Sequence, residues 1–195
     1  MPGGPARATH GSQPQANPPA PVLKRATRNE SLNMKALTQA AIRKSFINAS
    51  KSQTAAVNFP ADFDEIDWEN IDQYGWRDHK MPQRAYLVTE SAGKPTTILL
   101  RAPDLVSAGR KAMCALCEDL EDNDDVYLFV APKAGAAGKN GNSVGTLIHS
   151  AFSCSRNVRA EVLPTPIHPD PELVKAERIR KLLERTEQFI QKVRS

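Results

Sequence analysis

Cysteine is scarce in this 195-residue chain. Three occur, an odd number that makes a poor disulfide framework and fits a reducing, cytoplasmic setting. No stretch approaches the roughly 18–20 apolar residues needed to cross a bilayer, so no membrane role is expected. Acids are almost missing from residues 1–33, where Arg7, Lys24, Arg25 and Arg28 face Glu30 alone. That segment is Pro-rich and has no apolar periodicity, which excludes an amphipathic transit helix. It also lacks the apolar core of a secretory signal. A disordered tail is predicted over 1–33, because so little apolar surface cannot offset ordering entropy. The formal net charge of +4 is mostly a property of this tail, and the body is nearly neutral. A neutral body argues against a general nucleic-acid binder.

Catalytic signatures are missing too. There is no Ser/His/Asp triad, no convincing pair of catalytic carboxylates and no dinucleotide fingerprint. The loop PKAGAAGKNGNSVG (132–145) is not a Walker A loop: Lys133 stands where its first glycine should be, and Asn140 follows Lys139. The chain is read as a non-enzyme. The same loop reads as a flexible hairpin tip or as a partner contact. Residues 132–159 carry Lys133, Lys139, Arg156 and Arg159 with no acid, which suits an acidic protein surface or an RNA backbone.

Order is expected from Met34, itself a candidate start. Thr38 can cap a helix over 38–48, with Leu37 and Ile42 at hydrophobic-staple spacing and Ser50 near its end. Residues 54–83 set Phe63, Ile66, Trp68, Ile71, Tyr74 and Trp76 among acids, and read as an irregular segment laying aromatics on the core. RAYLVTE (84–90) and TTILLRA (96–102) flank SAGKP as a β-hairpin, and VYLFVA (126–131) is a further strand. At the end, Asp170 caps, Pro171 follows at the first helical position, and Leu173, Ala176, Ile179, Leu183, Ile190 and Val193 form one face. Three segments result: the tail over 1–33, a helix with an irregular stretch over 34–83, and a zinc-binding domain with its C-terminal helix over 84–195.

The zinc reading starts at MCALC, where Cys114 and Cys117 have knuckle spacing. Cys154 follows far downstream, with His149 five positions before it. On one helix those two would point about 140° apart, at about 100° per residue. They converge if His149 ends a strand and Cys154 opens a helix begun near Ser150. Knuckle, hairpin (126–131 with 144–148) and helix is the order of a treble clef. The candidate ligands of one structural Zn²⁺ are therefore Cys114, Cys117, His149 and Cys154, with His79 and His168 competing for the fourth place. Four protein ligands leave no position for water. Arg156 or Lys111 can offset the excess negative charge. A redox pair and two buried inert thiols remain alternatives. The acids Glu118, Asp119, Glu121, Asp122, Asp124 and Asp125 disfavour the low-pKa thiol that redox chemistry needs.

MKALTQAAIRKSFINASK, YGWRD, RAYLV, LLRAP, MCALC, VAPKAG, KNGNSVGT and CSRNVR occur here in an order that resembles the FBP-type, or elongation factor G-binding, family. That family is related to the FusB fusidic-acid resistance proteins. The resemblance covers about 34–193 and implies an α+β protein with a C-terminal treble-clef zinc finger. It further implies a monomer that binds elongation factor G and modulates its release from the ribosome, as FusB members do when fusidic acid has trapped the factor; the alternative is a zinc-stabilised module that binds the ribosome or ribosomal RNA. Lys133, Lys139, Arg156 and Arg159 are the expected partner contacts. The family pattern has a cysteine where this chain has His149, and FusB proteins carry a longer N-terminal helical bundle.

Overall fold

The computed structural model describes residues 34–103, 112–119, 125–167 and 170–195. The expected tail, Lys111, the acids Glu121, Asp122 and Asp124, and His168 lie outside them.

Thr38 caps the first helix, α1 (Gln39–Lys44), its Oγ1 accepting from the Ala41 amide at 3.2 Å. The helix is shorter than expected. At Ser45 both amide and hydroxyl turn back to the Ile42 carbonyl, and Phe46 then bridges to Thr97 on a strand. Ser50 begins a helix instead of ending one. In α2 (Lys51–Ala55), Ser50 Oγ accepts from Gln53 N and Gln53 Oε1 accepts from Ser50 N, a reciprocal capping box.

The aromatic, acidic stretch contains two 3-10 turns, Phe63–Glu65 and Trp68–Asn70, and then an unexpected strand, β1 (Gln73–Arg77). Gly75 weakens the strand's local signal. Its pairing with the next strand, from Gln73↔Thr89 to Arg77↔Ala85, supplies what local preference lacks. That next strand, β2 (Arg84–Ser91), returns as β3 (Lys94–Arg101). Between them Ala92 and Gly93 take positive φ, 51° and 74°, the backbone of a two-residue hairpin turn. β4 (Val126–Pro132) and β5 (Ser143–His149) form the second hairpin. Its glycine-rich connection is built, not loose: α3 (Gly135–Lys139) folds back over Lys133. A short α4 (Cys154–Val158) and the long α5 (Pro171–Arg194) complete the chain.

The five strands form one antiparallel sheet in sequence order. β3 meets β4 through the pair Arg101↔Val130. Strand registers sort the side chains into two faces. On one, Ala85, Leu87, Ile98, Leu100, Phe129, Ala131 and Ile148 pack with Ile179, Leu182, Phe189, Ile190 and Val193 of α5. On the other, Trp76, Tyr86, Val88 and Leu99 are covered by Met34, Ile42, Val57, Phe63 and Trp68. That cover stops at β3. The same face continues onto β4 and β5 as Leu128 and Leu147, paired in register and 54% and 38% exposed.

Candidate metal centre

Each element around the knuckle delivers one sulfur or nitrogen. Residues 112–117 lie along β5, with the Ala115 amide donating to the Leu147 carbonyl at 2.8 Å. The knuckle turn closes where Glu118 N donates to Cys114 O at 2.9 Å. Glu118 there adopts a φ of 57°, a left-handed turn made without glycine. His149 ends β5, and a turn in which Phe152 N donates to His149 O leads to α4. Cys154 is the first residue of α4 and meets the knuckle sulfurs, while His149 at the strand end contacts Cys114 and Cys117.

The sulfurs of Cys114, Cys117 and Cys154 lie within 4.8 Å of one another. Cys114 and Cys154 are fully buried and Cys117 is half-buried. Cys114 Sγ is 3.6 Å from Cys154 Sγ, too long for a disulfide. A tetrahedral zinc with arms of about 2.3 Å holds its sulfurs about 3.8 Å apart, close to the Cys114–Cys154 separation, so the three sulfurs suit that ion. His149 is 1% exposed, and its ring engages Cys114 and Cys117. Asn157 Nδ2 lies 3.4 Å from His149 Nε2 and donates to Ser153 Oγ, bracing the ring from the helix side. Among the described residues the clustered ligand atoms are those of Cys114, Cys117 and Cys154 alone: His149 stands beside them, outside that group, and His79 is exposed on the turn after β1.

The electrostatics fit a cluster built for a cation. Contacts with Cys117 and Cys154 pull the Cys114 thiol far below the ordinary range, against the effect of burial. The same neighbours, Cys114 and Cys117, push Cys154 up, because a second thiolate beside the first is unfavourable. Burial opposes charge on His149, yet the two sulfurs outweigh it and push its pKa up to about 11. A divalent ion at these sulfurs would hold the thiols and the imidazole deprotonated.

The residue after Cys154 does something the sequence does not signal. Ser155 Oγ accepts from the amides of Asp72 and Gln73 at 3.2 and 3.1 Å and donates to the Gln73 carbonyl at 2.9 Å. Arg159, at the end of α4, pairs with the fully buried Asp72 carboxylate at 2.7 Å. Burial raises the Asp72 pKa, and Arg159 works against that rise. The helix that carries a cysteine ligand is thus bolted to the start of β1. Of the expected basic contacts, Arg159 is committed to this internal pair. Arg156 is exposed on α4, and Lys133 and Lys139 lie near each other where β4 runs into α3.

A family model described as the FBP C-terminal treble-clef zinc-finger matches residues 41–193. No curated protein sequence matches this one significantly. Among solved structures, that of the fusidic acid resistance protein FusC superposes with a TM-score of 0.46 at 19% identity, covering 76% of this chain. The chain spans 59% of the length of that protein. No helix among the described residues is long and apolar enough to cross a membrane.

Proposed function

The chain belongs to the FBP C-terminal treble-clef zinc-finger family, and from that membership we propose that it is a non-enzymatic zinc protein that binds elongation factor G. One structural zinc is held by Cys114, Cys117, His149 and Cys154, and it serves as scaffold because four protein ligands leave no open position. The observation that supports a protein partner is the exposed leucine pair on the second hairpin. Leu128 and Leu147 face solvent as a register pair, and Met113 of the adjoining knuckle is 50% exposed. A soluble monomer rarely leaves such residues together without a use. Arg156 supplies positive charge to the contact, while Arg159 stays on Asp72 and Lys133 and Lys139 line a separate cleft.

Binding at this rigid face releases the factor from the ribosome only if one conformation of the factor is bound more tightly than the other. The test is co-purification of the factor with zinc-loaded protein, set against a Leu128→Asp/Leu147→Asp variant. Both side chains lie outside the core, so the variant folds, as retained zinc and an unchanged melt will show. Factor affinity should fall at least tenfold. Undiminished affinity in a folded variant would overturn the contact assignment, and no capture by the parent protein would overturn the factor reading itself.

A further inference from the structure

Between the N-terminal segment and the second hairpin lies a cleft of about 440 Å³, far from the sulfur cluster in the chain and built from different elements. Its lining among the described residues includes Arg101, Lys133 and Lys139, with Ser50 and Gln53 opposite, and no acid. The sequence on either side of the cleft shares this bias, although the N-terminal residues that line it are uncharged. Residues 34–61 carry Lys35, Arg43, Lys44 and Lys51 and no acid, and residues 126–160 are equally free of acids. Two acid-free stretches meeting at one cleft in a nearly neutral body is a local concentration of positive potential.

The cleft is held open by specific bonds. Asn48 spans its floor, with Nδ2 donating to the Leu99 and Pro132 carbonyls at 3.0 and 2.9 Å and Oδ1 accepting from Leu99 N at 2.8 Å. The Lys133 amide donates to Asn142 O at 2.9 Å, and the Ala134 amide donates to Val193 O at 2.7 Å. Gly138 lets α3 close over Lys133, since a Cβ there would lie 1.8 Å from the Lys133 carbonyl oxygen. The α2 capping box uses Gln53 Oε1, which turns the donor end of that amide away from the cap. Guanidinium, two ammonium groups and an amide donor around one hollow match a ligand that only accepts hydrogen bonds and carries more than one negative charge.

We propose that this cleft binds phosphate groups, as the backbone of an RNA strand or as a free polyphosphate. No aromatic ring among the described residues lines it to take a base, so the recognition proposed is of the backbone and independent of sequence. The inference goes beyond the factor reading. It assigns Lys133 and Lys139 to phosphate and leaves Met113, Leu128, Leu147 and Arg156 to the protein partner.

The test uses the full zinc-loaded chain and three probes: a labelled single-stranded RNA oligomer of mixed sequence, inorganic pyrophosphate, and a Glu-rich peptide of equal length to the RNA. The variant is Arg101→Gln/Lys133→Gln/Lys139→Gln. The control, Lys175→Gln/Arg180→Gln/Lys181→Gln, removes the same charge from the exposed side of α5. RNA affinity should fall at least tenfold in the cleft variant and little in the control. The slope of log affinity against log salt should lessen by about 2, at about 0.7 per single-strand phosphate contact. Pyrophosphate that binds alone and is lost in the variant identifies a small polyphosphate ligand, whereas RNA binding that pyrophosphate does not displace identifies the strand backbone. The proposal is overturned if neither phosphate probe binds, if the control loses as much as the variant, or if the Glu-rich peptide competes as well as RNA. Factor capture by the cleft variant is measured alongside, so failure here leaves the factor reading standing on its own result.

Discussion

The Asp78 carboxylate is 1% exposed and accepts from Tyr86 Oη at 2.8 Å, from the Asn58 side chain at 3.0 Å, and from the amides of Lys80 and Met81 at 2.9 and 3.0 Å. Burial alone would raise its pKa, but these donors outweigh burial and hold it below the ordinary 3.8. A carboxyl with a lowered folded pKa contributes stability that is present above about pH 3.8 and lost as pH falls through the folded value. Asp78→Asn should therefore cost about 1.5–3 kcal/mol at neutral pH, with a shallower loss of stability in acid. Urea titrations at neutral and acid pH check this, and equal acid sensitivity in both proteins would refute it. Asp72 acts in the opposite sense, because its raised pKa favours the folded state as it protonates. Neither role is legible in the sequence, since Asp78 sits eight residues from Tyr86 and Asp72 far from Arg159. The cysteines are legible because the short C-x-x-C spacing is itself the geometry. Nothing in the string CSRNVR marks Ser155 as the bolt to β1.

Elements with a strong local signal stand near where they were expected, namely the 84–102 hairpin, β4 with β5, and the α5 cap. Asp170 Oδ1 indeed accepts from the amides of Glu172 and Leu173. The apolar face of α5 is offset from expectation: Leu173 and Ala176 are exposed, while Leu182, Thr186 and Phe189 are buried. The first turns of the helix run beyond the sheet that the later turns cover. β1 is the element missed, and Gly75 is the reason for both its weak signal and its position. The Phe152 ring lies on Gly75 so closely that a Cβ there would sit 2.2 Å from Cδ1. Phe152 itself has a φ of 55°, so the ring is held by a turn that cannot easily retreat. Gly75→Ala should destabilise by about 2–3 kcal/mol, the upper part of the overpacking range, measured as a drop in urea midpoint. A midpoint within error of the parent would mean the turn before α4 yields freely.

At the scale of the molecule, α4 joins the sulfur cluster to the sheet edge that carries the aromatic core. Cys154 faces the sulfurs, Ser155 holds the start of β1, and Trp76 on β1 packs with Tyr86, Tyr74 and Phe59. Stripping the metal should therefore disturb more than the knuckle. Treatment with a strong chelator is expected to remove one zinc per chain, broaden or abolish the cooperative melt, and shift tryptophan emission to the red. Zinc re-addition should reverse all three. Identical melts and spectra before and after complete metal removal would separate the metal from the fold.

The sequence by itself determined the α+β class, the hairpins, the C-terminal helix and the sulfur triad, because each depends on spacing, capping or alternation within a few residues. Tertiary structure decided what depends on distant partners meeting. It made a strand of a glycine-broken segment, withdrew Arg159 from the surface into a pair with Asp72, and brought Arg101 to Lys133 and Lys139. It also covered the aromatic part of one sheet face and left Leu128 and Leu147 on that face exposed. Those outcomes follow from which surfaces the chain can bury at once, and no local window of residues contains that information.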